Sequence, residues 1–139
     1  MSSFIINVNT VFEIDSERDS IEMTCPAQYD YSPDCVVVNY DEYGEDGAQV
    51  HTCLTVSGNT VEVKRSGSVQ LCLLLREGMS GSERYDLGQN MILIDYYTDV
   101  VKTELDEEGG TIKLSYRIDF GGTVTKNTIL LSVKKLADK

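Results

Sequence analysis

The residues best placed to do chemistry in this chain are a cation, a carboxylate and a phenol that alternation brings to one side of nearby strands. In Val61-Glu62-Val63-Lys64-Arg65-Ser66-Gly67 the strand period of two sets Val61, Val63 and Arg65 on one face and Glu62 and Lys64 on the other. If the valines face the core, a permanent cation points inward. An unpaired buried guanidinium is costly, so acceptors or an anionic ligand must meet it. The segment Val36 to Tyr43 supplies acceptors, because Val36, Val38, Tyr40 and Glu42 share a face. Glu42 is expected to take Arg65 in a bidentate pair while Tyr40 hydrogen-bonds beside it. Asn127 lies on the face of Ile129, Leu131 and Val133, and Thr98 on that of Ile94 and Tyr96, so both are candidates for the same interior network. Two uses of Arg65 stand open from the residues alone: a self-satisfied ion pair that fixes register, or an anchor for the carboxylate or phosphate of a small ligand.

Other chemistry finds little support. His51, the only histidine, alternates with Val50 and Thr52 and is expected on an outer face beside Cys53 and Thr55, with no nucleophile or orienting partner near it in sequence. The run Asp41-Glu42-Tyr43-Gly44-Glu45-Asp46-Gly47 does not match the alternating-ligand spacing of a calcium loop and reads as a solvated acidic turn. Gly78-Met79-Ser80-Gly81 is too short, and too far from any helix, to cradle a phosphate. Cys25, Cys35, Cys53 and Cys72 are spaced by 10, 18 and 19 residues, which gives no zinc or redox motif and reads as reduced thiols. No catalytic residue, metal site or cofactor is nominated. A general acid or base role for Glu42 beside Arg65 is the only enzymatic reading, and it lacks a partner group.

These side chains need elements to hold them, and the elements are strands. Strand-like segments follow one another, divided by Gly, Asn, Asp and Ser clusters, near residues 3–13, 20–31, 35–43, 48–57, 60–66, 69–77, 82–86, 90–105, 110–120 and 123–134. Ser57-Gly58-Asn59 is a tight hairpin signal, and Ser66-Gly67-Ser68, Gly109-Gly110 and Gly121-Gly122 offer similarly permissive backbone. Ile112, Leu114, Tyr116, Ile118 and Phe120 share one side of their strand, as do Ile92, Ile94, Tyr96, Thr98 and Val100, and Val50, Thr52, Leu54 and Val56. Short connections make antiparallel pairing of consecutive strands the expectation. One apolar face per strand fits a barrel or a sandwich equally well.

Size and charge narrow the setting. The 139 residues suit one domain, 1–139, large enough to fold without a metal or a disulfide. The net charge of −11 is uneven: residues 1–58 hold eleven acidic side chains and one basic, Arg18. Such a field repels phosphate backbones and anionic lipid, so neither nucleic acid nor a membrane is expected as a partner. Met1-Ser2-Ser3-Phe4-Ile5-Ile6-Asn7-Val8 lacks the basic and apolar regions of a signal peptide, and no apolar run approaches the ~18 residues of a membrane span, which points to a cytoplasmic protein.

The order of Tyr40-x-Glu42, the strand end Val61-x-Val63-x-Arg65-Ser66-Gly67, Tyr97-Thr98, and Asp106-Glu107-Glu108-Gly109-Gly110 followed by Ile112, Leu114 and Tyr116 resembles the YwiB-like family of bacterial cytoplasmic proteins. The resemblance covers roughly residues 4–135. It implies an all-β fold, a single antiparallel up-and-down β-barrel of calycin or lipocalin-like type with about eight to ten strands, and it implies no reaction. The family's usual Thr-Pro-aromatic-Gly turn before the long eighth strand is replaced by Leu87-Gly88-Gln89-Asn90. The Gly-x-Trp signature of secreted lipocalins is absent, since the chain has no Trp.

Together these readings predict a cytoplasmic binder of a small anionic or amphipathic molecule, held inside the barrel by Arg65, Tyr40, Glu42, Thr98 and Asn127. The alternative is a protein-interaction module with a filled barrel and an acidic contact surface.

Overall fold

A computed structural model of the chain describes residues 3–43 and 47–136. Gly44, Glu45 and Asp46, the centre of the expected acidic turn, lie outside the described residues. Ten strands carry the regular structure: β1 (Phe4–Ile14), β2 (Glu17–Tyr31), β3 (Val36–Tyr43), β4 (Gln49–Ser57), β5 (Thr60–Gly67), β6 (Leu71–Leu75), β7 (Ser80–Asp86), β8 (Met91–Asp106), β9 (Gly109–Phe120) and β10 (Thr123–Lys135). Their Val, Ile, Thr and Tyr residues suit a pleated surface, and the period of two buries one face of each. On β9 the inward row Ile112, Leu114, Tyr116 and Ile118 is buried, whereas Lys113 and Arg117 are exposed.

The strands pair antiparallel in the order β6-β5-β4-β3-β2-β1-β10-β9-β8-β7. Consecutive strands are neighbours, and β1 also pairs along its whole length with β10. The two ends of the order, β6 and β7, meet at one bridge, where Gln70 and Asp86 exchange backbone hydrogen bonds of 2.8 and 2.9 Å. The result is a nearly closed ten-stranded barrel. Along the seam, the Tyr96 hydroxyl accepts from the Leu74 amide at 3.1 Å, doing for that amide what a neighbouring strand would otherwise do. Gly81 lies opposite Tyr96 because a Cβ there would overlap the phenol ring.

Two turns depart from the sequence expectation. Strands β1 and β2 were expected to stop at 13 and resume at 20, yet they continue to Ile14 and from Glu17 across a two-residue turn at Asp15-Ser16. Asp15 holds φ of 53°, a left-handed conformation that aspartate tolerates better than most residues, so the turn carries no glycine to announce it. At the other pole Gly109 and Gly110 belong to β9, with φ of 117° and 142°. The carbonyls of Val133 and Glu104 occupy the space that a Cβ on each would need.

Strand β8 changes face. The register slips between Thr98 and Val100, a bulge that leaves Asp99 unpaired in the ladder. Ile94, Tyr96 and Thr98 point inward before it, and Val101 and Leu105 pack against the core after it. Val100, expected to share the face of Ile92 to Thr98, pairs with Ser115 on the other side. Asp99 takes a bidentate hydrogen bond from Arg117, at 3.0 Å from Nε and 2.9 Å from Nη2, and that guanidinium stacks on Tyr97 at 4.7 Å.

The two poles of the barrel differ. At the pole of the β2–β3 and β8–β9 connections, Ile6, Val38, Val61, Leu75 and Ile112 are fully buried, each worth roughly 1.5–3 kcal/mol of transfer free energy. The Tyr29 hydroxyl donates to the Asp106 carbonyl at 2.7 Å across that end, and its ring packs on Phe4. At the opposite pole the wall parts. Strand β2 pairs with β3 only over Gln28–Tyr31, so Glu17–Ala27 borders β1 alone and the interior opens beside Tyr40 and Glu42.

Candidate functional site

Cross-strand register assembles the site. Tyr40, Thr52, Arg65 and Leu71 lie side by side in one row across β3, β4, β5 and β6. Glu42 stands one inward position further along β3, level with Val50 and Gly67. From there its carboxylate reaches over β4: Oε2 accepts from Thr52 Oγ1 at 2.9 Å and from Arg65 Nη2 at 3.0 Å. Among the described residues this is the one hydrogen bond of the Arg65 side chain, so the expected bidentate pairing is not formed. The reason is distance, since strand β4 lies between the partners and only the tip of one fork reaches. The side chains of Arg65 and Glu42 keep 33% and 26% of their surface exposed, which sets them at the open pole.

A second row faces the first from the other side of the barrel. Phe12, Asn127, Tyr116 and Thr98 are cross-strand neighbours on β1, β10, β9 and β8. Asn127 is buried and donates to Thr125 Oγ1 at 3.2 Å. The two rows enclose a cavity of about 440 Å³, lined by Tyr40, Glu42, Thr52, Arg65, Tyr116 and Asn127 together with an apolar wall. Phe12, Ile14, Ile21 and Met23 form its mouth on the β1–β2 side, and Ile118, Phe120 and Ile129 add apolar surface from β9 and β10. The lining is mainly apolar, with its polar groups gathered in two places, Tyr40, Glu42, Thr52 and Arg65 on β3–β5 and Tyr116, Thr125 and Asn127 on β9–β10.

Four of the five residues nominated from sequence, Arg65, Tyr40, Glu42 and Asn127, therefore line one cavity. Thr98 does not. It is fully buried beside the bulge, its Oγ1 finds no hydrogen-bond partner among the described residues, and its backbone joins the β6–β7 connection through Gly78 and Met79. Sequence reasoning missed Tyr85, Tyr116 and Thr52 as polar lining. Tyr116 shares the face of Ile112 and Leu114, which disguised its hydroxyl among core residues.

The phenols and the ion pair set the electrostatics. Burial pushes the Tyr116 phenol up to about 12, Arg65 opposing and Tyr85 and Glu42 reinforcing the shift. Burial, then the Glu42 carboxylate, raise Tyr40 further still, against the pull of Arg65 and Thr52. Burial alone would pull the Arg65 guanidinium down, but the charge and hydrogen bond of Glu42 carry it above its ordinary value. At neutral pH the wall thus presents neutral phenols and one compensated ion pair.

His51 lies on the outer face as expected, yet strand β3 gives it partners that its sequence neighbours did not. Nδ1 lies 2.8 Å from Asp41 Oδ1 and Nε2 3.0 Å from Asn39 Oδ1. The hydrogen bond from His51 holds the Asp41 carboxyl below its usual range. No group of three or more His, Cys, Asp or Glu side chains among the described residues is arranged to hold a metal ion.

Comparison with known proteins bears on the fold that carries this cavity. Residues 6–131 match the family profile described as a domain of unknown function, DUF1934. The chain is 28% identical over 116 residues to the uncharacterized beta-barrel protein YwiB of Bacillus subtilis (strain 168), spanning 84% of this chain and 81% of that protein. It also superposes on the crystal structure of the ywiB protein from Bacillus subtilis with a TM-score of 0.87, over 98% of this chain and 93% of that one, at 24% identity.

Proposed function

The chain belongs to the family described as domain of unknown function DUF1934, and from that premise we propose that its barrel binds a small amphipathic molecule in the cavity beside Arg65. One observation carries the reading: a cavity of about 440 Å³, within the usual range for small-molecule sites, is lined mostly by apolar side chains with a few hydrogen-bonding groups, the Arg65–Glu42 pair among them. The apolar lining would take the ligand's body, and Arg65, Tyr40, Glu42 and Asn127 its polar group. Thr98 leaves the set, because it does not face this cavity.

Native mass spectrometry of gently purified protein tests the reading. The expected result is a bound mass that Arg65→Met depletes far more than it lowers the unfolding midpoint. A bare chain from many lysates, with no small molecule retained or taken up, sinks it.

A second reading draws on charge. Asp15, Glu17, Asp19 and Glu22 are exposed on the β1–β2 hairpin, a surface suited to a basic protein partner. Salt-sensitive capture that disappears when Glu17, Asp19 and Glu22 are neutralised would support it.

A further inference from the structure

We infer that the polar group recognised in the cavity is uncharged and carries a hydrogen-bond donor beside an acceptor, as a carboxamide or a lactam does; this rests on the ligand-binding reading above. The cation at Arg65 invites an anion only while it is considered alone. Among the described residues Glu42 and Arg65 are the only charged side chains in the cavity wall, and they are paired at 3.0 Å. The wall carries no net charge. An anion drawn to Arg65 would lie against the Glu42 carboxylate with no second cation to offset it, and a cation drawn to Glu42 would meet Arg65 in the same way.

The pair leaves complementary groups unused. Glu42 Oε2 is occupied by both Arg65 and Thr52, whereas Oε1 accepts no hydrogen bond among the described residues. Arg65 has committed one nitrogen to Glu42 and keeps the other edges of its fork. A carboxylate oxygen that needs a donor therefore stands beside guanidinium N–H groups that need an acceptor. The amide unit –C(=O)–NH– offers both, its carbonyl to Arg65 and its N–H to Glu42. The phenols of Tyr40, Tyr85 and Tyr116 line the same cavity as further neutral donors or acceptors. In the same lining Phe12, Ile118, Phe120 and Ile129 offer apolar surface to a hydrocarbon body. The class is thus a neutral amphipathic molecule with an amide-like head.

Competition on the full chain tests this. The neutral fluorophore N-phenyl-1-naphthylamine is displaced by octanamide, octanoate and octylamine, three probes that differ only in the head group. Octanamide is expected to bind about ten- to a hundredfold more tightly than either charged probe, the scale of a hydrogen bond to a charged group. Glu42→Gln leaves the cation uncompensated and should turn the order in favour of octanoate. Octanoate binding more tightly than octanamide to the unaltered protein overturns the uncharged class and leaves binding in the barrel standing. An unchanged order in a folded Glu42→Gln protein also overturns it. Failure of the fluorophore and all three probes to bind removes the reading beneath it and the inference with it. If Glu42→Gln does not fold, the series on the unaltered protein decides alone.

Discussion

Glu42 and Arg65 belong to strands that do not touch, and they meet at 3.0 Å across the intervening β4 with the Thr52 hydroxyl bonded to the same carboxylate oxygen. The contact ties three strands together at the end where β2 has left the wall, so it braces the open pole as well as furnishing the cavity. These two roles separate experimentally.

Removing Arg65 alone strands the Glu42 carboxylate, and removing both charges does not. Arg65→Met is expected to cost about 1–3 kcal/mol in urea unfolding, and Glu42→Gln a similar amount. The double variant should fall short of the sum by at least about 0.5 kcal/mol. Costs that simply add would show that the two side chains do not support one another.

Gly110 tolerates no side chain. Its φ of 142° and the Glu104 carbonyl against it mean that Gly110→Ala should destabilise by more than about 2 kcal/mol, since strained backbone and a steric clash combine. Gly58→Ala provides the contrast, because φ of 60° there is strained but the space is open, and about 1 kcal/mol is expected. Equal losses at the two sites would contradict the close approach of β8 to Gly110.

Alkaline titration should resolve two classes of tyrosine. Tyr29 and Tyr116 are pushed up to about 12 and Tyr40 higher, in each case chiefly by burial. A phenol whose folded pKa exceeds its ordinary value of 10 stabilises the fold fully below pH 10 and loses that contribution as pH rises towards 12. Tyrosinate absorbance should therefore show these three ionising late or together with alkaline unfolding. A single transition for all eight tyrosines in the folded protein would refute the burial of these phenols.

The seam between β6 and β7 depends on Tyr96. Tyr96→Phe removes the acceptor for the Leu74 amide and is expected to cost about 1–2 kcal/mol, with faster hydrogen exchange concentrated at Leu74. Unchanged protection of that amide would mean that the phenol does not hold the seam.

Much of this architecture was legible before any coordinates. The two-residue period marked all ten strands to within a few positions, and it put Arg65, Tyr40, Glu42 and Asn127 on inward faces, where they share a cavity. Its failures are physical. Val100 was placed on the wrong side because a bulge at Asp99 inserts one residue into the count, and the reward for that bulge, the Arg117 pair, comes from a strand that is distant in sequence. The Asp15-Ser16 turn escaped notice because an aspartate does what a glycine usually signals.

Alternation is a local property, set by backbone geometry at each residue, and so the sequence by itself determined that this chain is a succession of amphipathic strands with a cation turned inward. Register across strands is not local. Only the tertiary structure decided that Glu42 neutralises Arg65, that Tyr116 stands between Asn127 and Thr98, and that Thr98 is buried outside the cavity lining. Each depends on how far one strand is displaced along another, and a shift of a single residue would turn every one of these side chains to the opposite face.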